Sequence, residues 1–421
     1  MIATAPTVAT ADKRNIELAD IFERHGDAYR RAHRLRPTQA KVVHAVRSCR
    51  TAALGGHRDW CPHCGFVRYM YHSCRNRHCP KCQALTKAQW LENRCRELLP
   101  VPYFHNTFTL PHELNSLILF SEQNQRLLLD LLFHAAAQTL LDFGKNNLGG
   151  KMGFTMILHT WDQQLRPHFH VHTVIAGGAL ALDGESWIST GSKFLFSVRA
   201  LSRVFRAKFL EKLAELCKSG GLQLPPQLQQ LGCESGLRRW LRSLRKKSWI
   251  VNSKAPFSGP EKALDYLGRY THRVAISNHR LISLTDGEVA FYYRDRRDGD
   301  RRKIAVLPVD QFIRRFLQHV LPDRFTRIRH YGFLANRAKK QALACCREQL
   351  GAKQPEAEQT DKTVADWVLE LTGLDITRCP HCGAQLLQTE LPPQSDLPIP
   401  RSAQVAAPPI RFGSSMVFDT S

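Results

Sequence analysis

Two Cys-x-x-Cys pairs constrain the fold of this chain more than any other feature. Cys61-Pro-His-Cys64 and Cys79-Pro-Lys-Cys82 are separated by fourteen residues, close to the spacing of four-cysteine structural zinc sites. The segment that they span is rich in histidine and arginine and too polar for an ordinary core, so a bound metal is the expected source of its folding energy. We therefore predict one structural Zn²⁺ bound by these four cysteines.

The exact ligand set is left open by further cysteines and histidines. Near the C-terminus, Cys379-Pro-His-Cys382 repeats half of the pattern, and its partners could be Cys345 and Cys346, although adjacent cysteines are awkward joint ligands. The sequence alone does not decide whether zinc binds there. Within the first segment, the alternative ligands are Cys74, His72 and His78.

A large positive charge predicts a polyanionic partner. The chain of 421 residues carries 60 Lys and Arg against 37 Asp and Glu, a formal net charge of +23. Nucleic acid is the first expectation, and a merely basic soluble protein is the simpler alternative. Arg75, Arg77 and Lys81 add positive charge to the cysteine-rich segment, which makes it a candidate DNA clamp as well as a structural element.

The sequence predicts a cytoplasmic protein without a membrane span. Met1–Ala11 lacks the basic start and apolar run of a secretory signal. The most apolar stretch, Leu127 to Phe143, is interrupted by polar residues and is predicted to be a buried helix. In a reducing compartment the thirteen cysteines are expected to be metal ligands or buried thiols rather than disulfides.

A run of alternating histidines predicts a cation site on a β-strand. Side chains two residues apart point the same way, so His168, His170 and His172 share one face. A preceding strand, Phe154 to His159, is expected to pair with this one as a hairpin. Two imidazoles need a third protein ligand to hold a cation that keeps positions open for substrate. The nearby candidates for that ligand are Gln163, Asp162 and His159.

About a hundred residues further on, two tyrosines lie one helical turn apart. Tyr266 and Tyr270 fall in a predicted helix that begins at Pro260 and buries the stripe containing Ala263. Gly268 weakens a helix interior and hints that another element approaches closely there. Without the histidine run, tyrosines at the edge of a core would be the simpler interpretation. The cations expected beside the phenols, which would favour phenolate and bind phosphate, are Lys262, Arg269 and Arg273.

The succession of elements predicts an α+β fold with mostly antiparallel pairing. After the tyrosines, strands are expected at Arg273 to Ser277, Arg280 to Leu284 and Glu288 to Tyr293. The predicted regions are an N-terminal helical region (1–56), a zinc-binding domain (57–99), a catalytic domain (100–335), a C-terminal helical region with the Cys-x-x-Cys knuckle (336–390) and a disordered tail (391–421).

Together these residues resemble the two-tyrosine HUH transposases of the insertion sequence 91 type, which move by rolling-circle copying. The likeness runs from Leu54-Gly-Gly-His57 and the cysteine pairs to Tyr331-Gly-Phe-Leu-Ala-Asn336. The family's histidine-hydrophobe-histidine motif corresponds to His170-Val-His172, which leaves His168 as an extra histidine. The family's Tyr-x-x-x-Tyr motif corresponds to the tyrosine pair, and the following Thr271 to Asn278 is very similar to the family's sequence.

The resemblance implies an HUH endonuclease palm: a five-stranded antiparallel sheet with the histidines on a central strand, the tyrosine helix beside them and flanking helices. It implies a Mg²⁺ or Mn²⁺ ion bound by His170, His172 and a third ligand, for which we predict Gln163 in the loop before the histidine strand. It also implies that Tyr266 and Tyr270 cleave single-stranded DNA, each leaving a 5′-phosphotyrosine link and a free 3′-hydroxyl.

The resemblance therefore predicts a transposase, a metal-dependent strand transferase that cleaves and rejoins single-stranded DNA at transposon ends and target in the bacterial nucleoid. A plasmid replication initiator or relaxase would share the chemistry without needing this zinc module. A non-catalytic zinc-dependent DNA-binding regulator is the alternative from another class, and it should tolerate loss of both tyrosines. The oligomeric state and the order in which the tyrosines act do not follow from the sequence.

Overall fold

The computed structural model describes residues 16–191, 195–257, 262–263, 268, 271–354 and 362–394. Tyr266, Arg269 and Tyr270 lie outside these residues, as does the predicted tail beyond residue 394. The described helices are α1 (Leu18–Ala32), α2 (Pro37–Ser48), α3 (Gln83–Cys95), α4 (Asn115–Phe120), α5 (Glu122–Phe143), α6 (Val198–Lys218), α7 (Glu234–Arg245), α8 (Val309–Leu317), α9 (Lys339–Gln349) and α10 (Val364–Thr372).

The described strands form three antiparallel sheets. They are β1 (Gly56–Trp60), β2 (Val67–Tyr71), β3 (Tyr103–Thr109), β4 (Gly150–Trp161), β5 (Pro167–Ala181), β6 (Trp187–Ser189), β7 (Val251–Phe257), β8 (Leu281–Thr285), β9 (Glu288–Asp295), β10 (Arg301–Pro308), β11 (Ile328–Gly332) and β12 (Leu387–Leu391). The predicted α+β class with antiparallel pairing is confirmed.

The largest sheet has the strand order β11-β4-β5-β3-β7, and β6 pairs with β5 outside this path. Strands β4 and β5 form the predicted hairpin. The histidine strand β5 is the middle strand of the five, as the resemblance implies. Its alternation separates two environments, because Phe169 and Val171 are buried in the main core while His170 and His172 face the other side of the sheet.

Helices α4 to α7 cover the first face of this sheet and form the main core with it. Within the described residues, Glu122–Leu148 is the one helical stretch long and apolar enough to cross a membrane. Its Leu132, Phe133 and Leu140 are completely buried, which confirms the prediction of a buried core helix. Each such side chain contributes about 1.5–3 kcal/mol when it is removed from water.

The opposite face of the sheet carries the histidines and is covered by elements from distant parts of the chain. Ile157 and Val174 pack there with Ala263, with Leu343 of α9 and with Leu91 of α3. Residues from the segment before the tyrosines, from α3 and from α9 therefore cover this face. The histidine site lies at the edge of this second core.

The two smaller sheets extend the molecule beyond the palm. Sheet β10-β9-β8 packs with α1, α2 and α8 around Phe22, Phe291 and Phe312. The predicted strand at 273–277 is wrong, because the structure has an irregular segment with a bend there and buries the consecutive residues Ala275 and Ile276 in this core. Strand side chains alternate between faces, so burial of neighbours indicates a crossing segment. The third sheet, β12-β1-β2, combines strands from near both ends of the chain.

Candidate functional site

Three histidines on the hairpin β4–β5 converge on one point. His159 lies directly opposite His170 in the strand register, and directly opposed residues of antiparallel strands project to the same face. The Nε2 atoms of His170 and His172 are 3.1 Å apart, and one ring nitrogen from each of the three histidines lies within 4.8 Å of the others. All three side chains are buried, so the geometry fits a cation bound by three imidazoles.

Gln163, the predicted third ligand, is not part of this cluster. Its side-chain oxygen accepts a hydrogen bond from the Arg294 backbone N–H at 3.4 Å, and its backbone carbonyl accepts one from the Arg280 guanidinium. His159, which the sequence left as one of three candidates, takes the position instead. The reason is the register: His159 faces His170 across the hairpin, whereas Gln163 lies in the turn after β4.

Contacts at the other ring nitrogens orient the two histidines of β5. Nδ1 of His170 lies 2.9 Å from the backbone oxygen of His168, and Nδ1 of His172 lies 3.0 Å from Nε2 of His105 on β3. In both imidazoles an Nδ1–H that donates leaves the Nε2 lone pair for a metal. His168 thus contributes a backbone carbonyl rather than a ligand. His105 was not predicted, and its only sequence signal is a histidine within a strand.

The electrostatic environment keeps these imidazoles neutral. Burial, followed by the neighbouring His159, lowers the pKa of both His170 and His172 well below 6.5, and the nearby Arg296 and Arg273 respectively act in the same direction. Burial, followed by Lys254, lowers the pKa of His105 to about 3. Neutral imidazoles are metal ligands, and surrounding cations favour an anionic substrate such as phosphate.

The described residues that flank the tyrosines pack between the largest sheet and α3, the helix that follows Cys82. Ala263 and Thr271 are completely buried. A Cβ atom added at Gly268 would lie 3.0 Å from Leu91 Cδ1 and 3.4 Å from Lys87 Cε. The close approach predicted at this glycine is confirmed, and the approaching element is α3.

The predicted zinc quartet is wrong, because its two pairs belong to different clusters. Cys79 and Cys82 lie with Cys49, which follows α2, and with Cys74; the Sγ of Cys82 is 3.3 Å from that of Cys49 and 3.6 Å from that of Cys74. These distances approach the roughly 3.8 Å edge of a tetrahedron with Zn–S bonds of about 2.3 Å. Hydrogen bonds among the four thiols lower the pKa of Cys49 and Cys82 and raise the pKa of Cys74 and Cys79.

The other predicted pair has partners at the far end of the chain. Cys61 and Cys64 lie with Cys379 and Cys382, and the four sulfurs are within 4.8 Å of one another. Of the predicted alternatives, Cys74 belongs to the first cluster. The side chains that join neither cluster are His72, His78, Cys345 and Cys346. Cys49 was missed because it follows a helix and has no Cys-x-x-Cys partner.

Two of the cations predicted to bind DNA instead stabilise the fold. Arg77 donates to the backbone carbonyls of Phe325 and of Pro322, the latter at 3.2 Å, and Lys81 forms an ion pair with Glu17. Arg75 and Lys262 are exposed, and Arg273 lies near His172. Whether Arg75, Lys262 or Arg273 contacts phosphate stays a prediction.

Comparisons with known proteins agree with this architecture. Residues 153–342 match a family of transposases (Y2_Tnp), and residues 21–110 match a transposase zinc-binding domain (Zn_Tnp_IS91). The chain is 48% identical over 371 residues to y4qJ of Sinorhizobium fredii (strain NBRC 101917 / NGR234), a protein named as a transposase. The alignment covers 87% of this chain and 92% of that protein. It is 31% identical over 359 residues to the transposase for insertion sequence element IS801 of Pseudomonas savastanoi pv. phaseolicola, covering 84% of each.

Among solved structures, this chain is similar to a conjugative relaxase, TrwC, in a metal-free complex with oriT DNA. The similarity covers 38% of this chain and 68% of the relaxase chain. The sequence identity is 16% and the TM-score is 0.21, too low to carry an argument.

The class that these matches define is a transposase with an N-terminal zinc-binding domain. More narrowly, the chain belongs to the insertion sequence 91 family of transposases. The family match confirms structural zinc in the N-terminal region, and the cluster around Cys82 lies within the matched residues.

Proposed function

We propose that this transposase cleaves and rejoins single-stranded DNA at transposon ends through 5′-phosphotyrosine intermediates, driving rolling-circle transposition. Tyr266 and Tyr270 are the proposed nucleophiles, and His159, His170 and His172 the proposed ligands of the catalytic cation. The observation that carries the proposal is the convergence of the three buried imidazoles on the middle strand of the palm.

The donor set supports a first-row divalent ion. Imidazole nitrogen suits transition metals, whereas Mg²⁺ prefers oxygen ligands, so the three histidines favour Mn²⁺ over Mg²⁺. When bound, such an ion would polarise the scissile phosphate as a Lewis acid. Three neutral ligands leave the ion's full charge for the phosphate, and fewer than six protein donors leave open positions for its oxygens.

The chain's own residues would bind and orient the substrate. Arg273 and Arg296 lie close enough to the histidines to lower their pKa values, so they supply positive charge for the DNA backbone beside the scissile bond. His105 and the carbonyl of His168 hold the two imidazoles of β5 in one tautomer and orientation. This pre-organisation removes a reorganisation cost at the moment of reaction.

The proposed step is a balanced transesterification. The tyrosine oxygen forms a bond to phosphorus, the bond from phosphorus to the 3′ oxygen breaks, and the proton lost by the phenol is balanced by the proton gained at the 3′ oxygen. No water or nucleotide is consumed, so the phosphotyrosine retains the bond for rejoining. Two tyrosines allow one chain to hold one DNA end while cutting another.

The test is formation of a denaturation-resistant adduct. Full-length protein is incubated with single-stranded oligonucleotides carrying the element's ends, labelled at the 3′ terminus, in Mn²⁺ or Mg²⁺. A 5′-phosphotyrosine link transfers the labelled fragment to the protein. The double variant Tyr266→Phe and Tyr270→Phe should form no adduct, while the matched control Tyr69→Phe, at an exposed tyrosine of β2, should react normally.

A non-catalytic regulator gives the opposite result. It would bind the oligonucleotides in a salt-dependent manner without forming an adduct, and the double tyrosine variant would behave like the wild type. Absence of an adduct with every end sequence, or an adduct unaffected by the two tyrosine substitutions, would refute the proposed chemistry.

A further inference from the structure

The pentapeptide Cys-Pro-His-Cys-Gly occurs twice in the chain, at residues 61–65 and 379–383. Both copies have the same backbone structure. Gly65 donates to the Cys61 carbonyl at 3.0 Å and Gly383 to the Cys379 carbonyl at 2.9 Å, and the two glycines have φ of +76° and +75°. The structure thus contains two matching knuckles, and the positive φ explains the glycine in each.

The two knuckles face each other with their sulfurs crossed. Sγ of Cys61 is 3.4 Å from Sγ of Cys382, and Sγ of Cys64 is 3.5 Å from Sγ of Cys379. All four cysteines are free thiols. Their spacing is close to the roughly 3.8 Å sulfur separation of a tetrahedral zinc–thiolate site. Four thiolates converging from two knuckles are the donor set of a closed structural zinc site.

The C-terminal knuckle is held in place by strand pairing. Strand β12 pairs with β1 from Gly56 opposite Leu391 to Trp60 opposite Leu387. The buried carboxylate of Asp59 accepts hydrogen bonds from Arg68 of β2 at 2.7 Å and from Gln388 of β12 at 3.1 Å. One carboxylate therefore connects all three strands of this sheet.

Apolar packing around the knuckles is too small to hold them together. Within the described residues their buried cluster consists of Cys61, Cys379 and Leu386, with Phe66 and Ala384 partly buried beside it. Cys64 and Cys379 are 315 positions apart, so bringing them together costs chain entropy that so few apolar contacts do not offset. A metal supplies that free energy in small cysteine-rich modules.

We propose that Cys61, Cys64, Cys379 and Cys382 bind a second Zn²⁺, distinct from the ion at the Cys82 cluster. This zinc clasp, defined by those four cysteines, fixes the segment after α10 to the N-terminal sheet. It makes the zinc-binding module a product of both ends of the chain, beyond the matched residues 21–110. The clasp does not depend on the proposed strand-transfer chemistry.

The test counts zinc in full-length protein purified under reducing conditions. The wild type should contain two zinc ions per chain, and the double variant Cys379→Ser and Cys382→Ser should contain one. The matched control is Cys95→Ser with Cys233→Ser, two exposed cysteines outside both clusters, and it should keep two ions. Limited proteolysis should release the C-terminal segment at least tenfold faster from the clasp variant than from the control.

A gentler variant keeps the test decisive if the double serine protein does not fold. Cys382→His replaces an exposed thiolate by an imidazole and should retain two zinc ions, while Cys382→Ala should retain one. One zinc ion in the wild type, or two in folded Cys382→Ala, would overturn the clasp. Neither readout requires DNA cleavage, so failure of the clasp leaves the proposed transposase chemistry untouched.

Discussion

The thiolate cluster around Cys82 and the histidine cluster around His170 have similar numbers of donors but differ in the charge of those donors. Four thiolates close a tetrahedral site and more than neutralise Zn²⁺, so that ion has no free position and serves the fold. Three neutral imidazoles would leave a bound cation its charge and its open positions, as the proposed chemistry requires. Ligand charge and number, rather than burial, therefore distinguish the structural zinc site from the proposed catalytic site.

The largest effect is expected when the catalytic site loses a ligand. His172→Ala should reduce the initial rate of adduct formation about a thousandfold, because several kcal/mol of charge stabilisation are lost. Its zinc content should equal that of the wild type, since no thiolate is changed. His168→Ala is the control and should react normally, because His168 contributes its backbone carbonyl. Equal rates for His172→Ala and the control would remove the distinction between the two sites.

Loss of a thiolate should affect stability instead. Cys49→Ser should lower the zinc content by one ion per chain and the free energy of unfolding by roughly 3 kcal/mol or more, because metal binding is coupled to folding. The comparison is with Cys95→Ser, at an exposed cysteine outside the clusters. Metal analysis and thermal unfolding measure both effects. A Cys49→Ser protein with full zinc content and unchanged stability would show that Cys49 is not a zinc ligand.

A smaller effect is expected at His105, which contacts the proposed ligand His172 without being a ligand itself. His105→Ala removes the partner of His172 Nδ1 and should weaken Mn²⁺ binding about 10–100-fold, as for other outer contacts of metal-bound histidine. His105→Gln, which retains an acceptor, should recover part of the affinity. Isothermal titration with Mn²⁺ distinguishes the two variants, and equal affinities for wild type and His105→Ala would contradict the orienting role.

The smallest effect concerns His319, a buried histidine that belongs to neither the thiolate clusters nor the histidine cluster. Burial lowers the pKa of His319 to about 4, below its ordinary 6.5. Between these values the unfolded chain binds a proton that the folded protein does not, so stability falls as pH falls through 6.5. The expected contribution is roughly 1 kcal/mol between pH 6.5 and 5.5. In urea unfolding, His319→Gln should lose stability less steeply than the wild type, and parallel curves would contradict the buried neutral state.

Local pattern in the sequence was sufficient for the central hairpin of the palm, whereas the palm itself was implied by the family resemblance. Alternation at His168 to His172 identified the strand, its two faces and its hairpin partner, because a period of two directly encodes side-chain direction. The apolar stretch from Leu127 to Phe143, with its polar interruptions, identified α5 as a buried helix. Local pattern failed at 273–277, where the chain crosses between two sheets and consecutive residues are buried.

The ligand sets could not be predicted from spacing alone. Cys61 and Cys64 lie against cysteines 321 and 315 positions away rather than against the neighbouring Cys79 and Cys82, since strand pairing of β12 with β1 determines which knuckles meet. Likewise His159 rather than Gln163 completes the histidine cluster because of the register between β4 and β5. Both groups of residues are brought together by tertiary contacts, which the spacing of residues in one sequence does not encode directly.

The most direct test of the account is a count of Mn²⁺ ions bound at the histidine site. Electron paramagnetic resonance of free Mn²⁺ reports this number without requiring DNA cleavage, when Mn²⁺ is titrated with protein whose thiolate sites hold zinc and whose histidine site has been cleared of other metals by mild chelation. We predict one bound Mn²⁺ per chain for the wild type and for Gln163→Ala, and a loss of that binding in His159→Ala. Wild-type binding in His159→Ala, or loss of binding in Gln163→Ala alone, would contradict the three-histidine metal site.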